Sequence, residues 1–152
     1  MHDALLSSLV CRVGDVLCAI PLEHVEETMR PLPVEPIAGV PGFVRGLAVV
    51  RGIPAPVIDA ASLLGGTSVQ PSRFVTVKTG TRRIALAVDA VVGVIEIPRG
   101  SIGALPPLFQ GAALEAITAV GTLDAELLLI LRSTCLVPDD IWAAIHAGGA
   151  GA

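Results

Sequence analysis

Near the N-terminus, two short apolar runs are hinged on a turn dipeptide: Ser8-Leu9-Val10-Cys11-Arg12-Val13, then Gly14-Asp15, then Val16-Leu17-Cys18-Ala19-Ile20. The periodicity favours strands over helices, and the Gly-Asp step suits a tight β-hairpin. The pattern recurs down the chain. Strand candidates follow at Phe43 to Val50, Pro54 to Ile58, Arg73 to Lys78, Arg83 to Val88, Val91 to Ile97, Ala116 to Leu123 and Glu126 to Leu131. Thr79-Gly80-Thr81 and Asp124-Ala125 read as further hairpin links. Strands repeating every ~8–12 residues with turn residues between them point to an all-β barrel or sandwich.

Helical signals are few. Asp59-Ala60-Ala61-Ser62-Leu63-Leu64 starts on a capping residue and stops at Gly65-Gly66, which fits a helix of one or two turns. Pro138 to Ile145 places a proline and two acids in a first turn, so a short helix is expected over 138–146. The Gly/Ala-rich residues 147–152 read as a flexible tail, and residues 1–7 as an N-terminal one. Gly65 to Ser72 is the best internal boundary. It separates two groups of about five strands, giving approximate subdomains at 8–68 and 69–137, a division that leaves room for strand exchange.

Composition narrows the functional classes. A mean hydropathy of +0.76 raises the question of a membrane protein. The longest charge-free stretch, from Gly100 up to Glu115, is interrupted by two prolines and three glycines. A spanning helix needs roughly 20 mostly apolar residues, so direct membrane insertion is not expected. Met1-His2-Asp3 lacks the basic lead-in of a secretory signal, which suggests a soluble cytoplasmic protein. Ten basic against fourteen acidic residues leave no excess positive charge for a phosphate backbone, and four aromatic side chains are too few to stack bases. Nucleic acid is therefore not an expected partner. Cys11, Cys18 and Cys135 show no Cys-x-x-Cys spacing and sit in apolar runs, where a thiol behaves as a small hydrophobe.

The chain carries few signs of catalytic chemistry. Phosphate-binding Gly-x-x-x-x-Gly-Lys and nucleophile-elbow Gly-x-Ser-x-Gly motifs are absent, and His2, His24 and His146 have no metal-binding spacing. No cofactor or metal is implied. Asp59 and Asp89 both end apolar strands, in Val57-Ile58-Asp59-Ala60 and Ala87-Val88-Asp89-Ala90. Two such carboxylates could share a proton as an acid dyad. The reading favoured by Asp's common role in turns and caps is that each accepts backbone N–H bonds at a strand end. Charge placement is more informative. Glu23-His24-Val25-Glu26-Glu27 concentrates acids, and Arg45-Gly46 and Arg51-Gly52 repeat an Arg-Gly step at even spacing. On a regular strand both arginines would share a face.

In order along the chain, the opening hairpin and Pro21-Leu22-Glu23-His24-Val25-Glu26-Glu27, then Val40-Pro41-Gly42-Phe43-Val44-Arg45-Gly46-Leu47, Val49-Val50-Arg51-Gly52, Pro56-Val57-Ile58-Asp59 and Leu86-Ala87-Val88-Asp89-Ala90-Val91 resemble the CheW-like chemotaxis coupling proteins. The likeness covers roughly Leu9 to Leu136. It implies two intertwined five-stranded SH3-like β-barrels with short helices, including one near the C-terminus. It also implies a non-enzymatic adaptor between the cytoplasmic tips of transmembrane chemoreceptors and a CheA-type histidine kinase, at receptor arrays on the inner face of the membrane. Carried over position by position, it gives a receptor-binding groove at Val25, Glu27, Val44, Gly46 and Arg51, with Glu27 and Arg51 approaching each other between the subdomains. A kinase-facing surface is expected near Val57, Ile58, Asp59 and Leu63. Val49-Val50 stands where the family typically has Asn-Leu, and Ala60-Ala61 where it usually has Leu-Arg.

Other readings stay open. The protein could be a CheW-like scaffold of a non-flagellar pathway such as pilus motility. From a different class, it could be a small-molecule binder or hydrolase using an inter-barrel cleft with Asp59, Asp89 or His24, or an obligate dimer. A stand-alone adaptor, monomeric alone, is preferred.

Overall fold

A computed structural model describes residues 5–66, 71–103, 116–132, 136–137, 139 and 141–143. Eleven strands are described: β1 (Leu5–Val13), β2 (Val16–Pro21), β3 (Val25–Met29), β4 (Val44–Val50), β5 (Ile53–Asp59), β6 (Arg73–Thr79), β7 (Arg82–Val88), β8 (Ala90–Pro98), β9 (Ile102–Gly103), β10 (Ile117–Leu123) and β11 (Glu126–Leu131). A four-residue helix, α1 (Ala60–Leu63), follows β5. Asp59 caps it as expected, accepting the N–H groups of Ala61 and Ser62. Near the C-terminus, Asp139, Ile141, Trp142 and Ala143 are helical, while the tail 147–152, Cys135 and His146 lie outside the described residues.

The strands form two sheets, ordered β8-β1-β2-β11-β10-β9 and β3-β6-β7-β5-β4. They share a plan. In each, an antiparallel hairpin (β1–β2 or β6–β7) meets a second hairpin (β10–β11 or β4–β5) through one parallel pair, β2–β11 or β5–β7. Neither sheet is one half of the sequence. β1 and β2 join the late strands, and β6 and β7 join the early ones, so the division between sheets does not fall at residue 68. The chain passes from one sheet to the other at the β2-to-β3 step and returns at the β7-to-β8 step, while the 59–73 connection carries it from β5 to β6 within one sheet.

Burial explains why the strands are so uniformly apolar. Leu9, Cys11, Cys18, Ile20, Leu129 and Leu131 of the first sheet pack in one cluster with Val44, Ile58, Val75, Val77, Ile84, Leu86 and Val88 of the second. The alternate residues Val10, Leu17, Ala19, Leu128 and Ile130 fill a second cluster within the first sheet. Ala48, Val57, Phe74, Ala85 and Ala87 fill a third within the other. Central strands buried on both faces read as continuous apolar runs instead of alternating ones. Trp142, Ile141, Leu136 and α1 complete the shared cluster.

Turn chemistry matches the hairpins. Gly80-Thr81 closes the Thr79↔Arg82 pair, and Asp124-Ala125 closes Leu123↔Glu126 with both residues at positive φ. Arg51 (φ 50°) and Gly52 (φ 80°) close Val50↔Ile53 in the same left-handed geometry, which matches the twist of the flanking strands. Arg51-Gly52 is thus a turn and not part of a strand.

Candidate functional site

β3 lies at one edge of its sheet and the β4–β5 hairpin at the other. Arg51, lifted out by the turn, reaches back to Glu27 on β3. Its Nε donates to Glu27 Oε2 at 2.6 Å and its Nη2 to Oε1 at 2.8 Å, a two-pronged pair that ties the sheet's edges together. The Arg51 side chain is 70% exposed and that of Glu27 30%. The Arg51 guanidinium holds the Glu27 carboxyl below its usual pKa, against the opposing effect of partial desolvation. The two residues approach each other as expected, and both belong to one sheet, so the pair joins that sheet's two edges.

Two exposed β-branched side chains flank it. Val49 is 63% and Ile53 57% exposed, on either side of the turn. They were not among the expected site residues. No sequence pattern marked them: Leu47-Ala48-Val49-Val50 is continuously apolar, and only the folded strand, with Ala48 and Val50 buried, leaves Val49 on the outer face.

The remaining groove candidates are placed differently. Val25 is half-buried against the shared cluster, and Val44 is a core residue. Gly46 is buried and serves close backbone approach: a Cβ there would lie 2.1 Å from the Glu35 carbonyl oxygen. The residues expected on a kinase-facing surface, Val57, Ile58, Asp59 and Leu63, are all buried. The physical reason is that β5 is interior to its sheet, between β7 and β4, with both faces covered. Asp59, 4% exposed, accepts from Arg45 Nη2 at 2.9 Å besides capping α1. Arg45 sits at a bulge in β4, so the two Arg-Gly steps do not act as one face: Arg45 turns to Asp59 and Arg51 to Glu27.

Asp59 and Asp89 do not form a dyad. Asp89 accepts the Gly14 N–H at 2.8 Å, closing the β1–β2 turn, while Asp59 is committed to Arg45 and α1. Cys11 and Cys18 are buried thiols, and burial pushes Cys11 up to about 12. Among the described residues no group of three or more His, Cys, Asp or Glu could hold a metal ion, and no helix is long and apolar enough to cross a membrane.

The fold and this surface define a class: a two-barrel β-protein, its strands exchanged between SH3-like barrels, presenting an ion-paired hairpin tip with an apolar rim. The chain belongs to the CheW-like domain family, whose model matches residues 7–139. It is 33% identical over 112 residues to protein FrzA of Myxococcus xanthus, covering 72% of this chain and 69% of that one. Against the chemotaxis protein CheW of Klebsiella aerogenes it is 27% identical over 140 residues, 90% of this chain and 84% of the other. The fold is similar to the crystal structure of the scaffolding protein TtCheW from Thermoanaerobacter tengcongensis, with a TM-score of 0.77 at 23% identity, over 91% of this chain and 96% of that one.

Proposed function

We propose that this chain is a non-enzymatic coupling scaffold that joins the cytoplasmic tips of transmembrane chemoreceptors to a CheA-type histidine kinase, and that the surface around Glu27 and Arg51 receives the receptor. Membership of the CheW-like family supports the scaffold role. The observation that carries the site is the exposed two-pronged Glu27–Arg51 pair with Val49 and Ile53 beside it. Arginine forks and exposed apolar side chains at a rigid position are what protein interfaces select. In this reading the protein is monomeric alone, works in the cytoplasm and is recruited to receptor arrays at the inner face of the membrane.

Arg51→Ala should weaken retention by the cognate receptor tip in a pull-down while leaving the thermal midpoint nearly unchanged, since an exposed ion pair adds little to stability. Undiminished retention would discard the site. Co-sedimentation with receptor-bearing membranes and kinase tests the coupling role itself.

A second reading is a CheW-like scaffold of a non-flagellar pathway such as pilus motility. The relatives bear two different names, protein FrzA and chemotaxis protein CheW, so family membership alone does not select flagellar chemotaxis. Neighbouring genes for a particular kinase and receptor set would choose between them.

A further inference from the structure

We propose that the cleft at the tip of the β6–β7 hairpin is a docking groove for a carboxylate-rich, apolar-anchored segment of a protein partner. The cleft has a volume of about 450 Å³, room for a few side chains, and lies between β3, the β6–β7 turn, the β4–β5 hairpin and the C-terminal helical residues. Its apolar wall is Ile53 and Trp142, and its charged wall is Lys78, Arg82 and Arg83, with Glu26 between them.

The charges do not balance. Arg83 grips both oxygens of Glu26, through Nε and, at 3.3 Å, through Nη2. Lys78 Nζ stands 3.9 Å from the same carboxylate, beyond hydrogen-bond reach. Arg82 has no acidic partner among the described residues and lies over the Trp142 ring, 4.6 Å from its centroid. Among the described residues lining the cleft, one carboxylate therefore faces three cations, in a chain whose net charge is −4. That local excess of positive charge is complementary to an acidic partner.

The spread of the groups selects a segment over a small anion. A compact phosphate seated on Lys78 would also meet the Glu26 carboxylate. An extended or helical segment can set separate carboxylates on Lys78 and Arg82 and lay an apolar side chain against Ile53 and the indole.

Trp142, the only tryptophan in the sequence, lines this cleft from the edge of the shared cluster, so its emission reports changes at the cleft wall. The test titrates the full chain with a capped Glu-Glu-Leu-Glu-Glu-Leu peptide, its Gln counterpart, and inorganic phosphate. Expected are a saturable emission change with the Glu peptide that weakens as salt is added, and none with the Gln peptide. Lys78→Gln, which leaves the Arg82–Trp142 stack in place, should weaken binding roughly tenfold. Lys78→Gln/Arg82→Gln should weaken it further. No saturable change, equal response to the Gln peptide, saturation of the same signal by phosphate, or unchanged affinity in Lys78→Gln would each overturn the proposal. Neither receptor nor kinase enters the measurement, so its outcome is independent of the Arg51 experiment.

Discussion

Asp59 shows how much one residue can hold. Its carboxylate accepts two backbone N–H groups at the start of α1 and the Arg45 guanidinium, and it is almost fully buried. Asp59→Ala removes the cap and one charged partner of a partly buried arginine, so a loss of roughly 1–3 kcal/mol is expected in urea unfolding. Asp59→Asn keeps a competent cap and should lose less. Equal losses would show that the helix cap contributes nothing. The sequence showed Asp59 as a cap, because capping is local. Its pairing with Arg45 depends on a bulge that places Arg45 beside the end of β5, and no local pattern records a bulge.

At the scale of elements, the segment before β4 is the clearest case of backbone fitting backbone. Glu35 exchanges two backbone hydrogen bonds with Leu47, at 2.8 and 2.9 Å, and Leu32 and Val34 cover the cluster around Phe74. Gly46 makes this possible. A Cβ at that position would meet the Glu35 carbonyl oxygen at 2.1 Å and the Pro36 Cα at 2.9 Å, neither of which can rotate aside, and its φ is 146°. Gly46→Ala should cost about 1–3 kcal/mol or more and speed hydrogen exchange at Glu35 and Leu47. Normal protection at those amides would contradict the proposed fit. The longer strands were legible from their apolar runs to within a few residues. β3 and β9 were not: β3 is short and carries consecutive acids, and β9 is two residues long. Such strands are held by their neighbours' hydrogen bonds, not by their own composition.

Across the whole molecule, exposed ion pairs add a modest contribution to the response to acid. Glu27 and Glu126 both have their pKa lowered, chiefly by hydrogen bonds from Arg51 and Arg12. A carboxylate with a depressed folded-state pKa stabilises above its unfolded value, about 4.3 for glutamate, and loses that contribution as pH falls toward the folded value. The thermal midpoint should therefore decline below about pH 4.3, and less steeply in an Arg12→Ala/Arg51→Ala variant. The effect should be modest and should shrink in salt, because these pairs face solvent. An identical pH profile for variant and parent would remove these pairs as its cause.

Length of apolar run, turn dipeptides and the absence of a spanning helix were properties of the sequence by itself, and they determined an all-β chain of hairpins with buried thiols. Among the described residues the buried apolar side chains gather in three clusters, the largest lying between the sheets. Which strands share a barrel was decided only in three dimensions. A strand buried on both faces has no polar side to mark its orientation, so its sequence is compatible with either sheet. The same limit separated Glu27 and Arg51, whose contact was anticipated, from Val57, Ile58 and Leu63, whose burial was not. Exposure depends on which neighbours the sheet order supplies, and β5 received one on each side.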